Sequence, residues 1–442
     1  MNSIHDIPEV GRSRTERGLV RIPPGVDVPL TARVRRLIDT AAFRRLAQIS
    51  QLGLVSLVYP AANHTRQEHS LGVFLAAIEY LDQLASDKRF TAAVSPADAE
   101  LLLAAALLHD VGHWPFGHPM EDLHVPQMPS HEHFARRFIV AGEAADVLAE
   151  DWNLDPAEVA AVVAGAADNG TRRILRSLLS GPIDVDKIDY LMRDSLHAGV
   201  PYGRHFDRRR LIGSLCLNEA GDGLAITDKG RTAAEMMVFA RYVMFSEVYW
   251  HHAVRAATAM LQRAVFLMSD ALDPDDLLMM TERPMIEALL AAAADSPAGD
   301  LLDGIFGSKR SLYKRLAQYS YFEEPAVYRR LAGRPYHEQV QFAERIAAML
   351  STALGRKVAA HDVLVDAPPA ELEVEFDVEV YFPKGDTFRR LGDISPVVRT
   401  LAKEQFDDYV KRVRVFVHPR LAADARPVSD LSERLAVTIA GI

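Results

Sequence analysis

Four imidazole or carboxylate groups, His109, Asp110, His113 and His118, fall within ten residues in the string LLHDVGHWPFGHPME. They directly follow the apolar run Leu101 to Leu108. Packing alone does not explain such a density, because charged and imidazole groups enter a core when they are paired or bind a metal. The His-Asp dipeptide itself says little, since it occurs three times, at His5-Asp6, His109-Asp110 and His361-Asp362. Only the second pair ends an apolar helical run. Three further strings are of the same chemical kind: Arg66-Gln67-Glu68-His69, Ser130-His131-Glu132, and Asp184-Val185-Asp186-Lys187-Ile188-Asp189-Tyr190. A divalent cation held by two imidazoles and two carboxylates keeps coordination positions open for water and a phosphoryl oxygen, which is the arrangement a hydrolase needs. Asp184, Asp186 and Asp189 all compete to be the inward carboxylate of the last string. The single cysteine, Cys216, can form neither an internal disulfide nor a thiolate cluster, so a metal must be held by His and carboxylates.

The elements that must carry these groups are mostly helices. Ser95-Pro96-Ala97-Asp98 supplies a cap, a first-turn proline and an acidic residue at the positive end of the helix dipole. The helix it opens is apolar nearly all round and should be central and buried, delivering His109 and Asp110 from its last turn before Gly112. Thr31 caps a stretch through Ile38, Thr40 caps another that stops at Gly53, and a third helix starts near Gln67. Further helices are expected from Ser130, across 172 to 180, from Asp184, across 231 to 268 and across 339 to 353. Leu215 to Leu217 and Leu224 to Ile226 flank Gly221-Asp222-Gly223 as a small hairpin. Leu372, Val374, Phe376, Val378 and Val380 alternate with Glu373, Glu375, Asp377 and Glu379 as a strand, and Arg412 to Val417 is its expected partner. The fold class is therefore mainly α. Its expected parts are an arm over 1–30, a helical catalytic domain over 31–285, a helical extension over 286–365 and a small α+β lobe over 366–442.

With 442 residues and 49% hydrophobic content the chain can bury a large core. No apolar stretch approaches the roughly 20 residues of a membrane span, and the acidic start around Asp6 and Glu9 lacks a signal-peptide pattern. A cytoplasmic location is the expectation. The net charge of −10 argues against coating nucleic acid, but an anionic small substrate needs only a few inward cations. No internal repeat or low-complexity tract is present.

The longer strings HTRQEHSLGV, LLHDVGHWPFGHPME, SHEHF, DVDKIDYLMRDSLHAGVPYGR and LYKRL, in this order, resemble the HD-domain superfamily of phosphohydrolases. Within it they are similar to the bacterial relatives of the human deoxynucleoside triphosphate triphosphohydrolase, whose catalytic part follows a sterile alpha motif. The likeness runs from about residue 33 to 420. It implies an HD-domain helical core with His69, His109, Asp110 and Asp186 as ligands of a divalent metal (Mn, Fe, Zn, Ni or Mg), and a second Mg accompanying the triphosphate. It implies His118 as a general acid oriented by Glu121, where the human relative has aspartate. His113, His131 and Glu132 match active-site positions, with His113 and His131 in a phosphate and water network. Arg66, Lys187 and Arg241 would clamp the triphosphate, and Gln51, Leu52, Tyr190, Asp194 and Tyr249 would line the sugar. The implied partners are a nucleoside triphosphate and further copies of the chain, as a dimer or tetramer.

The activity implied is hydrolysis of a deoxynucleoside triphosphate to deoxynucleoside and inorganic triphosphate. A broader phosphatase or phosphodiesterase on other nucleotides and a non-enzymatic nucleotide sensor are its rivals. Allosteric members carry an Asp-Pro-Val-His-Gly-like element in the arm, where this chain reads RGLVRIPPGVDVPL. Asp39 is retained, but Arg44 and Ala47 stand where the human enzyme has glutamine and arginine. Activity without a nucleotide activator is therefore expected.

Overall fold

A computed structural model describes residues 3–11, 18–123, 130–166, 169–368, 377–401 and 410–440. The chain is mainly helical, with three small sheets among the described residues. It divides into two compact units. The first comprises Met1–Trp114, Pro129–Met244 and Glu375–Lys403, and the second Pro115–Met128, Phe245–Val374 and Glu404–Ile442.

At the centre of the first unit lies the helix Pro96–Leu108. Ser95 Oγ accepts from the Asp98 backbone and the Asp98 carboxylate accepts from Ser95, closing a capping box of the kind that stabilises a helix start by about 1 kcal/mol. Every residue from Ala99 to Leu108 is buried. A helix with no polar face must be enclosed on all sides, and helices Arg66–Leu84, Pro156–Val163 and Gly170–Ser180 pack around it. Helix Val185–His197 packs in turn on Arg66–Leu84.

Caps set the starts of the other site-bearing helices. Thr65 Oγ1 accepts from the Glu68 backbone, and Asp184 Oδ1 accepts from that of Lys187. Thr31 and Thr40 cap Ala32–Ile38 and Ala41–Arg45 as expected. Gly53 does not stop the second of these. The helix tightens into a 3-10 turn at Leu46–Gln48, and Gly53 instead opens another at Gly53–Leu57, using a left-handed φ of 49°. The expected hairpin forms from Leu215–Leu217 and Leu224–Thr227 in antiparallel register. Residues before Thr31 carry a further hairpin, Gly18–Ile22 with Val26–Leu30, for which the Pro/Gly punctuation gave no period-two signal.

The stretch 231 to 268 is not one helix. Helix Arg231–Met244 belongs to the first unit and is followed in the second by the π-helical turn Phe245–Tyr249, closed by Trp250 N–H to Phe245 C=O at 2.8 Å, before helix His252–Leu267. The extra residue in such a turn shifts the apolar stripe without breaking its periodicity, so hydrophobicity alone reads straight through it.

Pairing of the late strands also differs from expectation. Residues 372–376 of the alternating stretch lie outside the described residues. Its remainder, Glu379–Phe382, pairs in parallel with Leu224–Thr227 and antiparallel with Thr387–Arg390. Val413–Val417 is instead the middle strand of a sheet in the second unit, between Lys314–Tyr319 and Val363–Asp366. All five of its residues are buried, as a central strand covered on both faces requires. Helix Tyr336–Leu354 packs on this sheet, and the Arg255 guanidinium reaches Asp366 at 2.6 Å while lying over the Trp250 ring. Among the described residues no helix is long and apolar enough to cross a membrane.

Candidate active site

Three helix ends of the first unit bring His69, His109, Asp110 and Asp186 together. The Nε2 atoms of His69 and His109 lie 3.3 Å apart, His109 Nε2 is 3.4 Å from Asp110 Oδ1, and Asp186 Oδ1 is 3.0 Å from His69 Nε2 and 4.0 Å from His109 Nε2. Ligand atoms placed 2.0–2.2 Å from a common ion are separated by roughly 3.0–3.5 Å, so three of these four spacings suit a shared cation. Ligand atoms of His69, His109 and Asp110 all lie within 4.8 Å of one another.

The outer ring nitrogens support the same reading. His69 Nδ1 is 2.9 Å from Asp189 Oδ2, and His109 Nδ1 is 2.9 Å from the Ala106 carbonyl. Each acceptor places the proton on Nδ1 and aims the Nε2 lone pair at the other imidazole. Two lone pairs facing at that distance need a positive charge between them. Without a metal a proton answers: burial opposes charge on His69, but the hydrogen bonds with Asp186 and Asp189 outweigh it and push the imidazole up to about 10. Burial likewise favours a neutral Asp110, yet His109, Arg66 and His69 hold its carboxyl well below the usual range. The residues present thus fit a divalent metal.

The three competing carboxylates sort themselves by direction. Asp184 is fully buried and faces its own helix, with Oδ2 2.5 Å from Lys187 Nζ. Asp189 supports His69 from behind, and Asp186, in the first turn, is the one beside the Nε2 atoms.

Arg66 is 4% exposed and donates from Nη1 to Asp110 Oδ2 at 2.8 Å, which ties it to a carboxylate of the cluster. Lys187, Tyr190 and Arg241 are electrostatic neighbours of one another, grouped with Asp184 and Asp186. Burial opposes the Lys187 charge, but Asp184, Tyr190 and Asp186 together hold its pKa above the ordinary value. His113 stacks on His131 with centroids 3.6 Å apart, and its Nε2 lies 3.4 Å from Asp110 Oδ1. His131 Nε2 is 3.3 Å from Glu132 Oε1. Asp194 is buried against His64, Oδ1 to Nε2 2.9 Å, while the Gln51 backbone N–H donates to the His64 carbonyl and the half-buried Leu52 precedes Gly53–Leu57.

His118, Glu121 and Tyr249 belong to the second unit. His118 sits on the short helix Gly117–Glu121, whose Pro119 carbonyl accepts from Gln262 Nε2 at 2.8 Å. Phe116, just before it, is held at a left-handed φ of 58° with its ring packed on Phe306, a conformation an aromatic residue keeps only when its surroundings impose it. The His118 side chain is 65% exposed and its Nδ1 stands 3.4 Å from Glu121 Oε2. Tyr249 closes the π-helical turn with its ring edge-on to Phe245.

Asp189 entered the sequence reading only as a rival ligand, and its place behind His69 was not foreseen. The available signal was its spacing, three residues beyond Asp186 on the same helical face. Arg45, whose Nη1 donates to the His113 carbonyl at 2.6 Å, gave none.

Gly112 yields a prediction at this site. A Cβ there would stand 2.1 Å from the His131 carbonyl oxygen and 2.4 Å from the Ala135 nitrogen, so the absent side chain is what seats helix His131–Ile139 and its His131 ring. Gly112→Ala should destabilise the protein by about 1–3 kcal/mol, lowering the melting temperature by roughly 3 °C or more. An unchanged melting curve would show that the helix can shift freely.

A family model of the HD domain matches residues 66–193, and one of the HD associated region matches residues 206–429. An uncharacterised protein of Methanocaldococcus jannaschii is 31% identical over 85% of this chain and 74% of its own length. A deoxynucleoside triphosphate triphosphohydrolase of Gallus gallus is 26% identical over 64% of this chain, which spans only 53% of that enzyme. The solved structure of a hypothetical protein from Aquifex aeolicus superposes with a TM-score of 0.69 at 26% identity, covering 93% of this chain and 99% of the other.

Proposed function

The chain belongs to the HD-domain phosphohydrolase family, with the HD domain and its associated region both present, and from that footing we propose that it hydrolyses deoxynucleoside triphosphates to deoxynucleoside and inorganic triphosphate. The observation that carries this reading is the grouping of Lys187, Tyr190 and Arg241 beside Asp186, at the edge of the two-imidazole, two-carboxylate cluster. A triphosphate carries more negative charge than a monophosphate and so calls for more charge-assisted contacts. The likeness to the Gallus gallus enzyme supports the same substrate class.

When bound, a divalent metal supplies a Lewis acid that polarises a phosphoryl oxygen and makes water a better nucleophile. His69, His109, Asp110 and Asp186 are the residues that hold it. Lys187 and Arg241 take the outer phosphates, and Arg66 joins them when substrate draws it from Asp110. Leu52, Asp194 and Tyr249 meet the sugar, where a 2'-hydroxyl would meet an apolar wall and go unsatisfied. His118, paired with Glu121, protonates the leaving 5'-oxygen.

The test is product analysis by chromatography after incubation with manganese, magnesium or iron and each deoxynucleoside or ribonucleoside triphosphate in turn. Inorganic triphosphate from deoxy substrates is the expected product, formed without a second nucleotide as activator. Leu52→Gly and Tyr249→Ala should each relax discrimination against ribonucleotides by about 10- to 100-fold, corresponding to lost contacts on the order of 1–3 kcal/mol. Equal losses on both sugars would mean that these two residues only support the fold.

A further inference from the structure

Behind the metal-facing groups a second layer of charged side chains converges on His69. Asp189 Oδ2, which accepts from His69 Nδ1, also accepts from Arg193 Nε at 2.8 Å, and Arg193 Nη2 holds the other oxygen at 2.8 Å. The remaining arm, Nη1, donates to Glu68 Oε1 at 2.6 Å, and His197 Nε2 stands 2.9 Å from that same oxygen. Asp189, Arg193 and His197 are spaced four apart on one face of helix Val185–His197, while Glu68 and His69 are adjacent in the first turn of Arg66–Leu84. The opposing helix leaves room for the fork at one point, Gly72. A Cβ there would lie 1.9 Å from Asp189 Oδ1 and 2.3 Å from Arg193 Nη2.

We infer that Arg193 is a positioning residue of the metal centre: it holds Asp189 so that His69 presents its Nε2 lone pair, and Glu68 with His197 keeps the guanidinium on that carboxylate. The inference rests on reading His69 as a metal ligand. Its physical basis is the shared oxygen. Because Asp189 Oδ2 receives both the Arg193 and the His69 bonds, any shift of the guanidinium moves the acceptor that orients the imidazole. Arg193 is 5% exposed, so water cannot take over either arm. Lysine, a point charge on a flexible stem, cannot reproduce the two parallel bonds.

Manganese affinity, measured on the full chain by competition with a fluorescent chelator, tests this separately from activity. Arg193→Lys should weaken manganese binding by roughly 10- to 100-fold, the range that follows loss of an outer-shell partner. Glu68→Gln should act in the same direction by several-fold and, being nearer the surface, serves alone if the first variant does not fold. In an Asp189→Asn background Arg193→Lys should add less than about twofold, because its route to His69 is already cut. Unchanged manganese affinity in Arg193→Lys or, failing that, Glu68→Gln, with melting temperatures falling equally with and without manganese, would overturn the inference and leave a merely structural ion pair. His69→Ala separates the two levels. If it too keeps full affinity, the metal reading itself fails, and if it loses affinity while the others do not, only the positioning role does.

Discussion

Replacing Asp110 with alanine is expected to leave the purified protein with less than about a tenth of a metal ion per chain and to lower turnover by more than ~100-fold, exceeding the loss caused by removing an outer-shell partner. The reason is convergence: Asp110 Oδ1 stands 3.4 Å from both His109 Nε2 and His113 Nε2, and its second oxygen is occupied by Arg66. His109→Ala and Asp186→Asn should behave the same way. Asp184→Asn is the informative contrast, because its carboxylate faces Lys187 and should be dispensable for metal even though it lies two residues from Asp186. Elemental analysis of the four variants decides the matter. Stoichiometric metal in Asp110→Ala or His109→Ala would sink the assignment, and loss of metal from Asp184→Asn alone would move the fourth ligand two residues earlier, to the cap of the helix. Metal removal should also lower the melting temperature, since a ligand present at about a thousandfold over its Kd stabilises the folded state by roughly 4 kcal/mol.

The second large effect concerns the bond that breaks. Water adding to the α-phosphorus expels the 5'-oxygen of the nucleoside, a poor leaving group that needs a proton as it departs, and the attacking oxygen remains on the triphosphate. Hydrolysis in oxygen-18 water should therefore label triphosphate and leave the deoxynucleoside unlabelled, with no mono- or diphosphate formed on the way. His118→Ala should lower turnover by ~10²-fold or more while metal content and substrate binding persist. The exposure of His118 leaves its ring accessible, and its Nδ1 stands 3.4 Å from Glu121 Oε2. Orthophosphate as the first product would replace this reading with stepwise dephosphorylation. A His118→Ala variant of full activity would assign the proton to another group.

Much of the site was legible in the sequence because its signals are local. Capping needs a side-chain oxygen two or three residues before a backbone N–H, so Ser95 and Asp184 mark the helix starts directly. A run with no polar face, Leu101 to Leu108, has one stable place, and it put His109 and Asp110 at the heart of a unit. Phe245–Tyr249 and the pairing of Val413–Val417 were not legible. A π-turn keeps the apolar pattern while changing the axis, and an alternating strand does not name its neighbour.

By itself, then, the sequence determined the candidate ligand types, the helix ends that present them and the lack of cysteines for a thiolate cluster, all of which depend on composition or on spacings within one turn. The resemblance already pointed to Asp186, but only the tertiary structure shows it beside the two Nε2 atoms with Asp184 and Asp189 turned elsewhere, Arg66 tied to Asp110, and Arg193 gripping Asp189 through the gap at Gly72. Those placements depend on how helix Arg66–Leu84 is rotated against helices Pro96–Leu108 and Val185–His197. That rotation is set by the packing of whole helix faces, and no window of adjacent residues contains it.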